Sequence, residues 1–331
     1  MLTLYLQIQA QPLDDNTIKE KKMQVFVDYL EELAPLVGMG IKAFTKSKIK
    51  HLKQVAGRPD FLMPFRQKAP TMMRAMETIY KDPDNLLTPA GIINTLCFRG
   101  VFYGATFAKE ELRWFNNLEE WTKFYNEHKL SGDAKKTYFV NKSAYGNPSD
   151  KRTVDLVPQY WKEYGRIQMF LKQHTDNNGK IHIEAKKMYD FMLTMYNIGP
   201  LSALLAVGDL IEATALAIPT SQVWGNLVAE LSKGALAGLQ NLGLIPAHYG
   251  INANNKSRAL TVDERAHVTN AFVELHDYVE AKMHKTYKDL VGYSIITLEH
   301  GLCKRNRILL KSEKLVHRQS KPIKRKGKEK A

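Results

Sequence analysis

Apolar residues recur through most of this chain with the 3.6-residue period of an amphipathic α-helix. In residues 18–37, for example, Phe26, Tyr29, Leu30 and Leu33 fall on one face, next to the polar run KEKK. The same period predicts further helices over residues 41–56, 69–81, 88–99, 108–128, 153–173, 182–196, 200–217, 220–231, 233–242, 261–285 and 287–303. The pattern therefore predicts a chain built almost wholly from helices.

Two short segments, residues 2–8 and 138–140, are the only ones that alternate apolar and polar side chains as a β-strand does. Residues at the predicted helix ends support the helical interpretation. The pair Thr88–Pro89 combines a hydroxyl N-cap with proline at the first helical position, and Thr261 and Glu264 have the spacing of a capping box. The predicted fold class is mainly α.

Residues 131–153 form the one long stretch without a helical period. They mix turn-forming residues with Lys135, Lys136, Tyr138 and Tyr145. Basic residues interleaved with aromatic ones suit contacts to a nucleic-acid backbone and stacking on its bases. The same composition fits an ordinary surface loop with a short hairpin, and this second interpretation is the favoured one.

The composition, with 44% apolar and 25% charged residues among 331, predicts a soluble globular protein of one large or two ordinary domains. The longest apolar stretch, residues 198–208, is too short to span a membrane, so no membrane partner is expected. No secretory signal is visible at the N-terminus. Cys97 and Cys303 are the only cysteines, which excludes a disulfide framework and suggests a cytoplasmic or nucleoid-associated protein.

The positive charge of the chain is concentrated at its C-terminus. Residues 303–331 hold 12 Lys and Arg against 2 Glu, so they supply 10 of the 14 net positive charges. Such a run predicts a disordered basic tail that holds phosphates in a salt-sensitive manner, although it could also be a solubility tail or one attracted to ribosomes or membranes. The expected nucleic-acid contacts in this tail are Lys304, Arg305, Arg307, Lys324, Arg325 and Lys326.

Several common enzyme motifs are missing from the sequence. There is no G-x-x-x-x-G-K-[ST], HExxH, CxxC or GxSxG pattern, which disfavours P-loop enzymes, zinc peptidases and serine hydrolases. No cofactor and no metal are predicted. His276, Glu280 and His284 could face a metal from one side of a helix, but a solvated polar face is the favoured interpretation.

Two apolar segments meet at residues 197–200, NIGP. Gly199 permits a tight turn, Pro200 suits the first position of a helix, and the amides exposed there can bind a phosphate. The spacing is that of a helix-hairpin-helix, which holds the DNA backbone without reading its sequence. The alternative is a pair of core helices joined by a short turn.

Asp209 lies ten residues after Gly199, among Val207, Leu210 and Ile211. A carboxylate in that setting is expected to be buried or to face a cleft, and so to be paired or to have a functionally raised pKa. The alternative to a catalytic role is a helix-capping or salt-bridging aspartate.

Glu299 and His300 lie in the last predicted helix, four and three residues before Cys303, respectively. A histidine beside a carboxylate is the minimum needed for general acid–base chemistry near neutral pH. The alternative is a helix C-terminus at which His300 and Lys304 offset the helix dipole.

Three segments, in this order, resemble motifs of one family. Residues 197–200 followed by Asp209–Leu210 resemble the "GIGPF…DL" motif of the alpha-glutamyl/putrescinyl thymine pyrophosphorylase family, also known as the helical domain of 5-hydroxymethyl-deoxyuridine DNA kinases. Residues 232–239, SKGALAGL, resemble its "GPGxxxGL" motif, and residues 299–303, EHGLC, resemble its "EHxLCEFxK" motif. The resemblance extends over about residues 190–310.

The resemblance implies a fold related to the helix-hairpin-helix DNA glycosylases and an activity on hypermodified viral DNA. Members replace the pyrophosphate on activated 5-hydroxymethyluracil with an amino acid or amine, so the implied partners are duplex DNA and a small amine or amino acid. A thymine within a duplex would have to be flipped out. The implied residues are Asp209, Glu299 and His300 for catalysis, and Asn197, Gly199, Lys233 and Gly234 for the DNA backbone.

The implied organisation has three parts. An N-terminal helical extension covers residues 1–87, and a helical DNA-glycosylase-like domain covers residues 88–303, with the hairpin at about 184–217. The basic tail covers residues 304–331. Residues 98–102, FRGVF, resemble an arginine-bearing helix of the family more weakly.

Two departures from the family pattern matter. Ser232–Lys233 stands where the family has Gly-Pro, and basic residues replace the acidic and aromatic pattern after Cys303, which shifts that segment toward phosphate binding. A DNA glycosylase is disfavoured because residues 217–221, where that class carries an aspartate, hold no carboxylate. A non-catalytic nucleic-acid-binding protein, held mainly by its tail, stays open as a third hypothesis.

Overall fold

The computed structural model describes residues 14–145, 148–252, 254 and 256–319, with side chains up to residue 310. The α-helices in these ranges are α1 (Asp15–Leu33), α2 (Pro35–Gly38), α3 (Lys50–Gly57), α4 (Pro59–Leu62), α5 (Pro70–Thr78), α6 (Pro83–Leu86), α7 (Pro89–Cys97), α8 (Thr106–Glu110), α9 (Leu118–Glu127), α10 (Gly132–Phe139), α11 (Leu156–Lys162), α12 (Tyr164–Gln173), α13 (Ala185–Leu193), α14 (Pro200–Glu212), α15 (Ser221–Leu231), α16 (Gly234–Leu242), α17 (Val262–Lys282), α18 (Lys285–Val291) and α19 (Ile295–Gln319).

Irregular helical turns and two isolated bridges complete this backbone. The 3₁₀ turns are Ile41–Phe44 and Arg66–Lys68, and a π-helical turn, Phe98–Phe102, continues directly from α7. The isolated β-bridges join Thr175 to Ile181 and Ile251 to Ser257, and the described ranges contain no strand. The prediction of a mainly α-helical fold is confirmed.

The predicted helix starts are confirmed at two positions. The side chain of Thr88 accepts a hydrogen bond from the Gly91 amide at 3.1 Å, and Pro89 is the first residue of α7. At the start of α17, Thr261 and Glu264 each bond to the backbone of the other, which completes the capping box. Side-chain caps of this kind satisfy amides that have no partner within the helix.

The prediction for residues 131–153 was wrong in part, because residues 132–139 form α10. The predicted strand over 138–140 begins inside this helix, while the segment 2–8 lies outside the described residues. Phe139 is completely buried, with its ring 5.5 Å from that of Trp121. Burial against an aromatic cluster therefore stabilises a helix that the sequence period alone does not indicate.

One hydrophobic core runs through the molecule from Met23 to Ile308. Helix α1 packs on α16 and α17, and α4 packs on α19. Residues 15–86 are therefore packed into the same core as the C-terminal helices.

The last helix is longer than its sequence period predicts. The prediction that a disordered tail begins at residue 304 was wrong, since α19 continues to Gln319. Lys304 is 4% exposed and Ile308 is 1% exposed, so both belong to the core of the protein. Lys324, Arg325 and Lys326 lie outside the described residues.

Helices α14 and α19 carry the residues on which the sequence analysis concentrated. Nine consecutive residues of α14, from Ala203 to Ile211, are buried. Within the described part of the chain, no helix is both long and apolar enough to cross a membrane.

Candidate functional site

Asp209 lies at the centre of a buried charge cluster and is completely inaccessible to solvent. Its Oδ1 accepts hydrogen bonds from Nη2 of Arg66 and, at 2.5 Å, from Nη2 of Arg99. Its Oδ2 accepts from Nε of Arg99 at 2.5 Å and from Oη of Tyr80 at 2.9 Å. Each carboxylate oxygen thus has two donors, and three of the four carry the charge of an arginine.

The two arginines reach Asp209 from irregular turns. Arg66 opens the 3₁₀ turn Arg66–Lys68, and its Nη2 also donates to the carbonyl of Leu205. Arg99 lies in the π-helical turn Phe98–Phe102. A π-turn interrupts the regular helical ladder, and such turns are frequent at functional sites.

The opposite charges in this cluster keep one another ionised despite their burial. Burial alone would raise the pKa of the Asp209 carboxyl, but Arg66 and Arg99 outweigh burial and hold that pKa below its usual value. Burial would also lower the pKa of Arg99, and here Asp209 keeps it well above its usual value. Asp209 is therefore ionised with every acceptor position occupied, which suits positioning the two arginines better than accepting a proton.

Glu212, one turn further along α14, is much less well paired. Its Oε2 lies 3.5 Å from Nε of Arg66, and neither of its oxygens accepts a hydrogen bond from a described residue. Burial raises the pKa of Glu212 to about 7, against the pull of Arg66. This carboxyl is therefore close to half protonated at neutral pH.

The residues predicted on α19 line a small cavity, which we call the inner recess. Its volume is about 30 Å³, enough for one or two water molecules. Glu299 and His300 are 2% and 8% exposed. Oε2 of Glu299 has no hydrogen-bond partner, and the ring of His300 bonds to none of the described residues. Other walls come from Arg99, Tyr103, Tyr145, Cys303, Lys304 and Arg307.

Two cations of the inner recess lack a carboxylate partner among the described residues. Nζ of Lys304 donates to the carbonyl of Phe61 at 2.9 Å, and Nη2 of Arg307 donates to the carbonyl of Tyr145 at 3.3 Å. The Arg307 guanidinium also lies 4.7 Å from the centroid of the Phe61 ring. Their positive charge is solvated by backbone carbonyls and a ring, and it is available to an anionic ligand.

The protonation of the inner recess follows from burial and this positive charge. Burial, reinforced by Lys304, lowers the pKa of His300 well below its usual value, so the imidazole is neutral at pH 7. Burial raises the pKa of Glu299 against the pull of Arg66 and Lys304. Burial, reinforced by Arg307, lowers the pKa of Lys304 to about 7. The recess therefore combines a neutral imidazole with the guanidinium of Arg307 and with an ammonium, that of Lys304, which titrates near neutral pH.

A larger cavity, which we call the outer recess, shares the walls Tyr103 and Ala144 with the inner recess. Its volume is about 470 Å³. Phe61 and Tyr103 give it aromatic surface, and Arg58 and Lys109 add positive charge, of which Lys109 pairs with an aspartate. The aromatic and cationic surfaces of this cavity are complementary to a planar ring that bears an anionic group.

The turn of the predicted hairpin, at residues 197–200, lies at the surface, away from Asp209. Gly199 is exposed and precedes α14 with an extended backbone (φ −93°, ψ 172°), so the turn does not use the conformational freedom of glycine there. The left-handed residue is Asn197 (φ 56°), whose amide donates to the carbonyl of Lys151 at 3.1 Å. Ten residues of helix separate Gly199 from Asp209, which corresponds to about 15 Å.

Gly234, predicted on the DNA backbone, packs against α19. A Cβ atom there would lie 2.4 Å from Sγ of Cys303, and one at Gly238 would lie 2.7 Å from the carbonyl oxygen of Leu302. The two glycines therefore let α16 cross α19 at close range. The neighbouring Lys233 is exposed at the start of α16.

The remaining predicted residues separate in space. Arg305 lies on another side of α19 from Lys304 and Arg307, in a recess with Tyr29 and Glu32. His284 lies beyond the end of α17, where its side chain caps α18. Among the described residues, no group of His, Cys, Asp and Glu side chains is arranged to hold a metal ion.

Sequence reasoning missed Arg66, Tyr80 and Glu212, and it noted Arg99 only through the weaker motif. The sequence does contain a signal for the arginines. Arg66 follows the apolar run FLMPF, and Arg99 interrupts CFRGVF, so each is a charge in an apolar context, as Asp209 is.

The chain was compared with family models, with curated proteins and with solved structures, and none of the three comparisons found a match. The resemblance to the thymine pyrophosphorylase family therefore stays a prediction.

Proposed function

We propose that this protein modifies DNA bases, transferring an amino acid or amine onto pyrophosphate-activated 5-hydroxymethyluracil with loss of pyrophosphate. The observation that carries the proposal is the juxtaposition in the inner recess of the neutral His300 with Lys304 and Arg307. Cations stabilise a departing anion, and a neutral imidazole can accept the proton that an attacking amine must lose.

The reaction divides between these groups as follows. The amine nitrogen forms a bond to the methylene carbon on C5 of the base, while the bond from that carbon to the pyrophosphate oxygen breaks. The proton from the amine goes to His300, and the charge that develops on pyrophosphate is met by Lys304 and Arg307. Glu299 lies beside His300, and Asp209 acts at a distance by holding Arg99 in the wall.

The outer recess would receive the base. Its volume of about 470 Å³ accommodates a pyrimidine, with Phe61 and Tyr103 beside the ring. From there the pyrophosphate would extend toward Arg307, whose side chain must move because the inner recess holds about 30 Å³. An enzyme of this kind flips the target nucleotide out of the duplex. The exposed start of α14 at Gly199 and of α16 at Lys233 would contact the backbone, as in a helix-hairpin-helix DNA-glycosylase-like fold.

The small volume of the inner recess favours a second candidate function, non-catalytic binding of nucleic acid. In that case the cations of α19 would hold phosphates and Glu299 would serve only in packing. The two candidates differ in whether any product forms.

The test is a reaction of the full chain with a duplex oligonucleotide that contains 5-pyrophosphoryloxymethyl-deoxyuridine, in the presence of a mixture of amino acids and polyamines. Released pyrophosphate and digested nucleosides are measured, the latter by mass spectrometry. We expect pyrophosphate and a new aminated nucleoside in equal amounts, lost in His300→Gln and retained in the exposed control His182→Gln. Tight binding without either product would contradict transfer and leave the non-catalytic function.

A further inference from the structure

A third cavity lies beyond Gly104, Asn141 and Ser143, which it shares with the outer recess. Its volume is about 700 Å³, within the range of sites that bind small molecules. We call it the Arg152 recess, after the cation in its wall. It borders the basic segment over residues 131–153, which the proposed function leaves unused.

Arg152 is the first reason to look for a ligand here. Its side chain is buried, at 7% exposure, and its guanidinium lies 4.5 Å from the centroid of the Tyr145 ring. Nη2 donates to the carbonyl of Arg99 at 3.2 Å, while Nη1, which is shielded from solvent, has no acceptor among the described residues. No described carboxylate forms an ion pair with Arg152. Burying a charge costs free energy unless an opposite charge lies nearby. An anion bound at this wall would therefore stabilise the buried guanidinium of Arg152.

The surrounding groups suit a phosphate bonded to an organic group. Lys136 is exposed at the edge of the recess, where it forms a long, solvent-exposed ion pair with Asp133 at 3.7 Å, and the hydroxyl-bearing Thr106 and Thr153 also line the recess. Lys142 contributes little free charge because it pairs with Asp150 at 2.7 Å.

The remaining walls match the rest of a nucleotide. Asp155 supplies an acceptor for a sugar hydroxyl, and Val140 and Val154 give an apolar surface. An inorganic anion alone would leave most of a 700 Å³ recess unfilled.

We infer that the Arg152 recess binds a phosphate-bearing ligand of nucleotide size, with its phosphate on Arg152 and Lys136. The phosphate can come from a free mononucleotide or from one nucleotide of a DNA strand. The inference stands on Arg152 and the shape of this recess, and it does not depend on the proposed transfer.

The experiment measures binding to the full chain. Inorganic phosphate and thymidine 5′-monophosphate are titrated by calorimetry, and a labelled eight-nucleotide oligothymidylate is titrated by anisotropy. The variants are Arg152→Gln and Lys136→Glu. The matched control is Lys129→Glu, an exposed lysine outside the recess. Arg307→Gln removes a cation of the inner recess and reports any binding there.

We expect Arg152→Gln to weaken binding by about 10- to 100-fold, because a charge-assisted hydrogen bond is lost. Lys136→Glu should weaken binding several-fold, and the control Lys129→Glu should leave it unchanged. If Arg152→Gln weakens binding of the mononucleotide, the phosphate comes from a free nucleotide. If it weakens binding of the oligonucleotide alone, the phosphate comes from a DNA strand.

The inference is overturned if no probe binds, or if the binding is equally strong in Arg152→Gln and the wild type. It is also overturned if Arg307→Gln alone abolishes binding. If loss of the contact with Tyr145 keeps Arg152→Gln from folding, Lys136→Glu, at an exposed position, decides by the same comparison with Lys129→Glu.

Discussion

At the α14 end of the buried cluster, each oxygen of Asp209 has two donors. At the α19 end, Glu299 has one oxygen without a partner, and Lys304 relies on a backbone carbonyl. A buried charge with all its partners is a structural element, whereas a group left incomplete by the folded chain has capacity for a ligand. The contrast favours a structural role for Asp209 and leaves His300 and its neighbours as the candidates for the proposed chemistry.

The largest effect should come from removing the saturated charge. Asp209→Ala leaves Arg66 and Arg99 buried without their counter-charge, which should lower the free energy of unfolding by about 3–5 kcal/mol. Urea denaturation measures this directly. The exposed Asp190, paired with Lys186 within α13, is the control, and Asp190→Ala should cost less than about 1 kcal/mol. Equal effects in the two variants would show that the cluster does not stabilise the fold.

The opposite result is expected for His300→Gln. Turnover in the proposed transfer should fall by about 100-fold or more, because a general base is lost. The urea midpoint should stay near that of the wild type, since His300 forms no hydrogen bond to a described residue that the change could break. If His300→Gln loses stability and activity together, His300 has a structural role like that of Asp209.

A glycine pair sharpens the contrast between packing and binding. Gly234→Ala introduces a Cβ atom 2.4 Å from the sulfur of Cys303, whereas nothing lies within 4 Å of a Cβ atom at Gly199. We expect Gly234→Ala to cost about 1–3 kcal/mol of unfolding free energy through overpacking. Gly199→Ala should change stability little. Measurement of DNA affinity in both variants tests the binding role predicted for each, and weaker binding in neither would remove that role.

The smallest expected effect concerns pH. The pKa of Lys304 is lowered to about 7, so its ammonium is charged below that pH and neutral above it. A bound anion favours the charged form, so pyrophosphate affinity should fall as pH rises above 7, by at most about tenfold per unit. Calorimetry across pH 6–9 measures this. Lys304→Arg should flatten the dependence, and an unchanged slope in that variant would exclude Lys304 from anion binding.

Local signals predicted the helices well, because their causes lie within a few residues. The cap at Thr88, the capping box at Thr261 and the apolar stripe from Phe26 to Leu33 each depend on neighbours in sequence. The length of α19 was misjudged for the opposite reason. Its charge predicts a solvated tail, but burial of Ile308 against the rest of the molecule continues the helix.

The candidate site could be predicted only in part, since its contacts are long-range. Asp209 was identified as a charged residue in an apolar helix, and His300 as a histidine beside a carboxylate. The partners of Asp209 lie 143, 129 and 110 residues away, and no spacing in the sequence relates Arg66, Tyr80 and Arg99 to it. A buried carboxylate requires a cation, yet the sequence does not identify which one.

The carbonyl of Phe61 receives Lys304 across 243 positions of the chain, and Arg66 reaches across 143 to Asp209. Contacts between such distant positions require long loops to close, at an entropic cost that grows only slowly with loop length. During synthesis, the inner recess cannot be completed until α19 has emerged from the ribosome as far as Arg307. Until that moment Arg66, Arg99 and Asp209 can at most pair among themselves, and the nascent chain carries no completed recess.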